Sequence, residues 1–243
     1  MVRLIGSITL FPYEYDPQGW ARCDGRTISG EESETLFSLL GDTFGGNPNE
    51  FTFGLPNLDT AAPKECRYCI SLFGTYPQGR YDEGLIGETV LWAISTIKPT
   101  NFVECNGQML PKDRNMFLES KLDARFGQAD AGKFKLPDLQ NRSPAKCRYL
   151  MCVDGFDPVG HMPWDPFVGE IRLLPYEVYE DAKDRWRLCD GGQFAPNESP
   201  ALANLLGKRF GGGNDYRFPD LRAAAPPNFN YYIAVRGVMP SRP

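Results

Sequence analysis

The feature that most constrains this chain is a six-residue pattern, Trp/Phe-x-x-Cys-Asp/Asn-Gly, that occurs three times. Its copies lie at residues 20–25, 102–107 and 186–191, so successive copies are 82 and 84 residues apart. Each copy is followed by a Leu-Pro-Asn/Asp-Leu or Phe-Pro-Asp-Leu segment, and later by a short apolar run that ends in glycine. Because these segments recur in the same order, the sequence indicates a triplicated unit.

The recurring positions are predicted to be structural. They comprise an aromatic residue, a cysteine that behaves as a small buried hydrophobe, an Asp/Asn-Gly turn and a proline in an extended segment. In chain order these residues are Trp20, Cys23, Asp24, Gly25 and Pro56, then Phe102, Cys105, Asn106, Gly107 and Pro137, then Trp186, Cys189, Asp190, Gly191 and Pro219.

The repeat predicts three domains joined by short linkers. The repeats are assigned to residues 1–74, 85–155 and 167–243, and the linkers to residues 75–84 and 156–166. Units this small are marginally stable alone, so we expect them to pack on one another. The predicted fold class is α+β: three small repeats with short strands, one short helix each and long loops, packed with pseudo-threefold symmetry. The 25 glycines and 21 prolines fit many turns.

The helix of the first unit is predicted from its boundaries. Ser33 is a candidate N-cap, Leu36 and Leu40 recur at helical spacing, and Gly41 ends the pattern. The corresponding cap positions in the other two units are Asn115 and Ser199.

Composition excludes several classes of function. The formal net charge of −5 provides no electrostatic surface for nucleic acid or for an anionic membrane. The first residues lack the apolar core of a signal peptide, and no apolar run reaches membrane-spanning length. The expectation is a protein made soluble in the cytoplasm that does not insert into membranes.

The cysteines do not form a convincing reactive site. A cysteine nucleophile needs a nearby base, and the single histidine, His161, cannot serve three motifs. Cys66 and Cys69 form a C-x-x-C, but their counterparts in the other units include Phe229 and Tyr232, which indicates packing positions. We therefore expect no catalytic residues, no cofactor and no metal, and a protein that is not an enzyme.

The repeated residues resemble the phage tail collar domain family, which includes the microcystin-dependent-protein-like tail proteins. The resemblance rests on the Pro-x-Gly-Trp and Cys-Asp-Gly turns, the Leu-Leu-Gly and Phe-Gly-Gly segments, the Leu-Pro-Asn/Asp-Leu segment and the closing residues 231–242. It implies a component of a phage tail or phage-like particle without enzymatic activity. This chain differs from the usual pattern of one collar unit per chain. The paired histidines that bind metal in one collar relative, the short tail fibre tip of T-even phages, have no equivalent here.

Two functions follow as hypotheses. The first is a structural or adaptor component of a phage tail or phage-derived contractile injection particle, in a fibre, baseplate or cap, whose partners are other particle proteins. The alternative is a module of the tail that recognises a cell-surface receptor or glycan. Glycan binding predicts exposed parallel aromatic rings repeated in at least two units, whereas docking predicts a broad apolar patch on one face.

Overall fold

The computed structural model describes residues 4–81, 84–122, 124–156, 165–178, 182–211 and 215–242. His161, the glycine-rich residues 212–214 and most of the second predicted linker lie outside these ranges. Across the described residues the fold is mixed, with three short α-helices and many short strands in a curled sheet.

The first repeat contains five strands and one α-helix. Its elements are β1 (Ser7–Phe11), β2 (Trp20–Arg22), β3 (Thr27–Ser29), α1 (Glu34–Leu40), β4 (Thr52–Gly54) and β5 (Arg67–Ser71). The closing strand β5 lies between β1 and β2, and both pairings are antiparallel. A separate two-stranded ribbon is formed by β3 and β4.

The second and third repeats follow the same plan. The second contains β6 (Thr89–Trp92), β7 (Phe102–Glu104), β8 (Met109–Pro111), α2 (Met116–Leu122), β9 (Lys133–Lys135) and β10 (Arg148–Cys152). The third contains β11 (Ile171–Leu174), β12 (Trp186–Leu188), α3 (Pro200–Leu206) and β13 (Asn230–Ala234). In the third repeat a single bridge, from Gln193 to Arg217, stands where the other repeats form a ribbon.

The structure confirms the predicted N-cap positions of the first and third helices. Ser33 caps α1, because its hydroxyl accepts a hydrogen bond from the Leu36 amide at 3.2 Å. Pro200 is the first residue of α3, where its missing N–H costs nothing. Ser199 occupies the predicted N-cap position of α3. Its hydroxyl makes no cap bond but donates to the Val235 carbonyl at 2.6 Å, as the Ser33 hydroxyl does to the Leu72 carbonyl at 2.6 Å, so both serines tie the helix start to the residue after the closing strand.

The first strands of the three repeats pair with one another. Ile8 of β1 lies opposite Leu91 of β6, Thr89 of β6 opposite Leu173 of β11, and Ile171 of β11 opposite Leu10 of β1. The three pairs have the same register when residues are counted from Gly6, Gly87 and Gly169. In each pair, the second residue after the glycine of one repeat lies opposite the fourth residue after the glycine of another. The largest hydrophobic core accordingly draws buried residues from all three repeats. Within the described chain, no helix is long and apolar enough to cross a bilayer.

Candidate assembly site between the repeats

The aromatic and cysteine positions of the repeated motif are buried in every copy. Trp20, Phe102 and Trp186 are 6%, 1% and 3% exposed, and all three motif cysteines are 1% exposed. The aromatic residue begins the second strand of its repeat in each case, which directs its side chain inward. The three cysteines and Phe102 belong to the large core shared by the repeats, whereas Trp20 and Trp186 lie in two smaller clusters.

The motif turn is held by the same three hydrogen bonds in each repeat. The cysteine amide donates to the carbonyl of a tyrosine in the closing strand, and the cysteine carbonyl accepts from a leucine amide. The glycine amide donates to the carbonyl of the repeated proline, so the structure brings the turn and Pro56, Pro137 or Pro219 together within each repeat. Gly25, Gly107 and Gly191 have φ values of 82°, 76° and 77°, a conformation that glycine adopts without strain.

The motif thiols are poorly suited to nucleophilic chemistry. Burial raises the pKa of Cys23 and Cys189 well above the ordinary thiol value, and also raises the pKa of Cys105. A nucleophilic cysteine needs a lowered pKa, because the thiolate is the reactive form. All seven cysteines are free. No group of three or more His, Cys, Asp and Glu side chains within the described ranges could hold a metal ion.

A glycine of each repeat contacts a bulky residue of another repeat. Gly169 and Gly87 have φ values of 84° and 82°, and an added Cβ would lie 2.6 Å from Tyr13 and 2.5 Å from Tyr176, respectively. The Tyr13 hydroxyl donates to the Val168 carbonyl, and the Tyr176 hydroxyl donates to the Ile86 carbonyl. At the third contact, Gly6 faces Ile94, which occupies the same place in its repeat as the two tyrosines but has no hydroxyl.

A buried ion cluster lies between the second and third repeats. Arg172 of β11 is 9% exposed, and its guanidinium lies 3.0 Å from a Glu88 carboxylate oxygen and 2.8 Å from a Glu170 oxygen. Burial lowers the pKa of Arg172, but the two carboxylates more than offset this and leave the pKa above its ordinary value. The guanidinium also lies over the ring of Trp186, 5.3 Å from its centroid. The arginine is therefore held in its charged form between the repeats.

Tyr68, Tyr149 and Tyr231, one from each closing strand, line a small cavity of about 40 Å³ beside the three central strands. Burial, together with the neighbouring phenols of Tyr231 and Tyr149, raises the pKa of Tyr68 well above its ordinary value. The three phenols therefore stay neutral at physiological pH. A depression of about 290 Å³ is lined by the same tyrosines and by Pro63, Pro144 and Pro226, which are equivalent residues of the three repeats.

Three further contacts, made by equivalent residues of the three repeats, join a loop of each repeat to another repeat. Lys146 of the second repeat donates to the Thr43 carbonyl of the first, and Asn228 of the third donates to the Arg125 carbonyl of the second at 3.2 Å. The equivalent residue of the first repeat, Glu65, lies 3.9 Å from the Arg209 guanidinium of the third. These three residues have φ values of 63°, 67° and 61°.

Sequence reasoning missed the interface residues. The motif residues stabilise each repeat from within, whereas Tyr13, Tyr176 and Arg172 act between repeats and are not repeated in all three copies. The available signal was the pair Tyr13 and Tyr176, which follow Gly6 and Gly169 at the same spacing.

Comparison with known protein families agrees with the triplicated architecture. The family profile of the phage tail collar domain matches the chain three times, at residues 6–63, 87–144 and 169–226. The chain belongs to the phage tail collar domain family. Neither the curated proteins nor the solved structures that were searched include a significant match.

Membership of the collar family has direct consequences for function. Collar domains are structural, and the family is associated with phage tail fibres. The matched segments begin at Gly6, Gly87 and Gly169, the glycines that contact another repeat. They end at Pro63, Pro144 and Pro226. The closing strand of each collar repeat lies just beyond the match and completes the sheet.

Proposed function

We propose that this collar protein is a non-enzymatic adaptor in a phage tail or a phage-derived contractile injection particle. In this proposal its three repeats, with the boundaries inferred from the sequence, are arranged around a pseudo-threefold axis, so that a single chain imitates a trimer. A chain of this kind can dock on a threefold-symmetric partner and still present three different faces, because each repeat has its own surface.

The observation that carries the proposal is the closed set of strand pairs among β1, β6 and β11. The pairs run from the first repeat to the second, from the second to the third and from the third back to the first, in one register. The glycine contacts at Gly6, Gly87 and Gly169 follow the same order. A linear string of repeats has no reason to pair its first repeat with its last.

The end of the chain supports closure of the ring. The Gln18 amide of the first repeat donates to the Ser241 carbonyl, and the Tyr15 hydroxyl donates to the Pro240 carbonyl. The first linker makes a comparable contact with the second repeat, where the Thr100 amide donates to the Gly79 carbonyl. Residues 240–241 therefore lie against the first repeat in the same way that the first linker lies against the second repeat.

Exposed apolar residues in the closing segments favour docking over glycan recognition. Phe73 and Tyr76 follow β5 and are 59% and 44% exposed. Phe156 and Val238, which are equivalent to each other and to Thr75, follow β10 and β13 and are 37% and 48% exposed. Exposed apolar surface is typical of a protein interface when it is concentrated rather than scattered. Exposed aromatic rings at matching positions of two repeats, which repeated glycan sites require, do not occur among the described residues.

The proposal is tested by locating the protein in the native particle by cryo-electron microscopy. It predicts one chain at a symmetry axis of the tail, with the closing segments against a neighbouring protein. The triple variant Phe73→Ser, Phe156→Ser and Val238→Ser should remain folded but be absent from purified particles. Met116→Ser is the matched control, since Met116 is 70% exposed and belongs to α2, not to a closing segment. Particles that incorporate the triple variant normally would contradict the proposal.

A further inference from the structure

The depression of about 290 Å³ that Tyr68, Tyr149 and Tyr231 line is built from equivalent residues of the three repeats. Each repeat contributes three positions to the lining. Two of these positions are filled by the same residue type in every repeat, a proline and a tyrosine. The depression therefore lies where the three repeats meet, and a group that binds there can contact all of them.

The third lining position differs between the repeats. The second repeat has Arg142 at this position, whereas the first and third repeats have Ala61 and Ala224. Among the described residues that line the depression, Arg142 is the only charged one. One arginine thus breaks the equivalence of three repeats that otherwise match.

The Arg142 side chain is exposed and free to bind. Its guanidinium makes no hydrogen bond and no ion pair with any residue in the described ranges. Burial raises the pKa of Tyr149 and of Tyr231, and the positive charge of Arg142 offsets part of this rise in both. The guanidinium is therefore close to the phenols of the second and third repeats, at the depression rather than turned away from it.

The lining favours an anionic group. An incoming carboxylate meets one positive charge and no negative charge among the described lining residues. Guanidinium and carboxylate groups commonly pair through two parallel hydrogen bonds, which fix the orientation of both groups. The volume lies just below the range of small-molecule sites, about 300–1,000 Å³, so a single side chain fits better than a cofactor.

The residue types of the lining favour a protein partner. Tyrosine and arginine are enriched among the residues that contribute most to binding at protein interfaces. Three tyrosines and one arginine converge in this depression, and each repeat adds a proline beside its tyrosine. A projecting side chain of another protein would be surrounded by these rings and would reach the guanidinium.

We propose that this depression receives one Asp or Glu side chain of another tail protein, with its carboxylate paired to Arg142. The proposal rests on the proposed function, because it places that partner in the same particle. The tyrosine and proline rings pack against the stem of the incoming side chain. Since only one of the three equivalent positions carries an arginine, the site binds one carboxylate rather than three.

The test is a nuclear magnetic resonance titration of the full-length protein with the blocked peptide acetyl-Gly-Glu-Gly-amide. The same peptide with Gln in place of Glu is the uncharged probe. The Glu peptide should shift the Arg142 Nε–H resonance and the ring resonances of Tyr149. It should bind at least about tenfold more tightly than the Gln peptide, the difference expected for hydrogen bonds to a charged group.

Two arginine variants show whether the preference depends on this site. Arg142→Ala introduces the residue that the first and third repeats have at this position, so it should fold and should lose the preference for the Glu peptide. Arg114→Ala is the matched control, because Arg114 is an exposed arginine of the same repeat outside the lining, and it should keep the preference.

The proposal is overturned if neither peptide binds, if both bind equally, or if Arg142→Ala keeps the preference for Glu. Inorganic phosphate is the third probe. If phosphate binds at Arg142 and the Glu peptide does not, the depression is a site for a free anion and the proposal is likewise overturned. None of these results decides the adaptor function, which is tested separately by incorporation of the closing-segment variant into particles.

Discussion

The phenol hydroxyl of Tyr13, in the first repeat, donates a hydrogen bond to the carbonyl oxygen of Val168, in the third, 155 residues away along the chain. Tyr13→Phe should lower the free energy of unfolding by about 1–3 kcal/mol, because the buried carbonyl loses its partner. Chemical denaturation measures the change. Tyr76→Phe alters an exposed tyrosine and should have no effect. Equal stability of the two variants would show that the Tyr13 contact contributes nothing.

The contact between Gly169 and Tyr13 leads to a steric prediction. Gly169→Ala places a methyl group 2.6 Å from the Tyr13 ring at a residue with φ of 84°. Gly132 has a similar φ of 74° but open space around it, so Gly132→Ala is the matched control. The control should cost about 1–2 kcal/mol from backbone strain alone. Gly169→Ala should cost about 1–3 kcal/mol more from the clash. An equal loss of stability in the two variants would show that Gly169 does not lie tightly against Tyr13.

The buried cluster of Glu88, Arg172 and Glu170 should depend strongly on its arginine. Arg172→Met keeps much of the side-chain volume but leaves two carboxylates without their shared partner. Removing one member of such a buried group typically costs about 3–5 kcal/mol. Arg222→Met is the control, since Arg222 pairs with Asp220 at the surface and should show no measurable change. An Arg172→Met variant as stable as the control would show that the carboxylates are not held by this charge.

The buried thiols predict a loss of stability at alkaline pH. Burial raises the folded-state pKa of Cys23, while the thiol of the unfolded chain titrates near its ordinary value of about 8.5. The stabilisation from the neutral buried thiol is therefore fully present below about pH 8.5 and declines as pH rises toward the folded pKa. Between about pH 8.5 and its folded-state pKa, each such thiol lowers the free energy of unfolding by about 1.4 kcal/mol for every pH unit.

The measurement is urea denaturation at several pH values between 7 and 10. The free energy of unfolding should fall less steeply with pH in Cys23→Ala than in the unmodified protein. The difference between the two proteins at pH 7 measures the packing that is lost with the thiol. A slope identical to that of the unmodified protein would contradict the assignment to Cys23.

Much of the internal structure of each repeat was predictable, because it depends on local chemistry. The turns at Gly25, Gly107 and Gly191 require positive φ, and the chain identifies them by repeating Asp/Asn-Gly. The hydrogen bonds from Ser33 and Ser199 to carbonyls 39 and 36 residues away were not predictable, since they depend on where the closing strand lies.

The relations between repeats were harder to predict. The register of β1 with β11 depends on contacts between residues far apart in sequence, and hydrophobic pattern alone does not select among strands that are all buried.

The first and third repeats meet directly where β1 pairs with β11. Residues opposite each other on neighbouring antiparallel strands are close enough to give nuclear Overhauser effects. The decisive measurement is a nuclear Overhauser spectrum of the full-length protein, deuterated and labelled at Ile, Leu and Thr. We expect cross-peaks for all three pairs: Ile8 with Leu91, Thr89 with Leu173, and Leu10 with Ile171. Cross-peaks for the first two pairs without the third would indicate an open string of repeats and would rule out the closed ring.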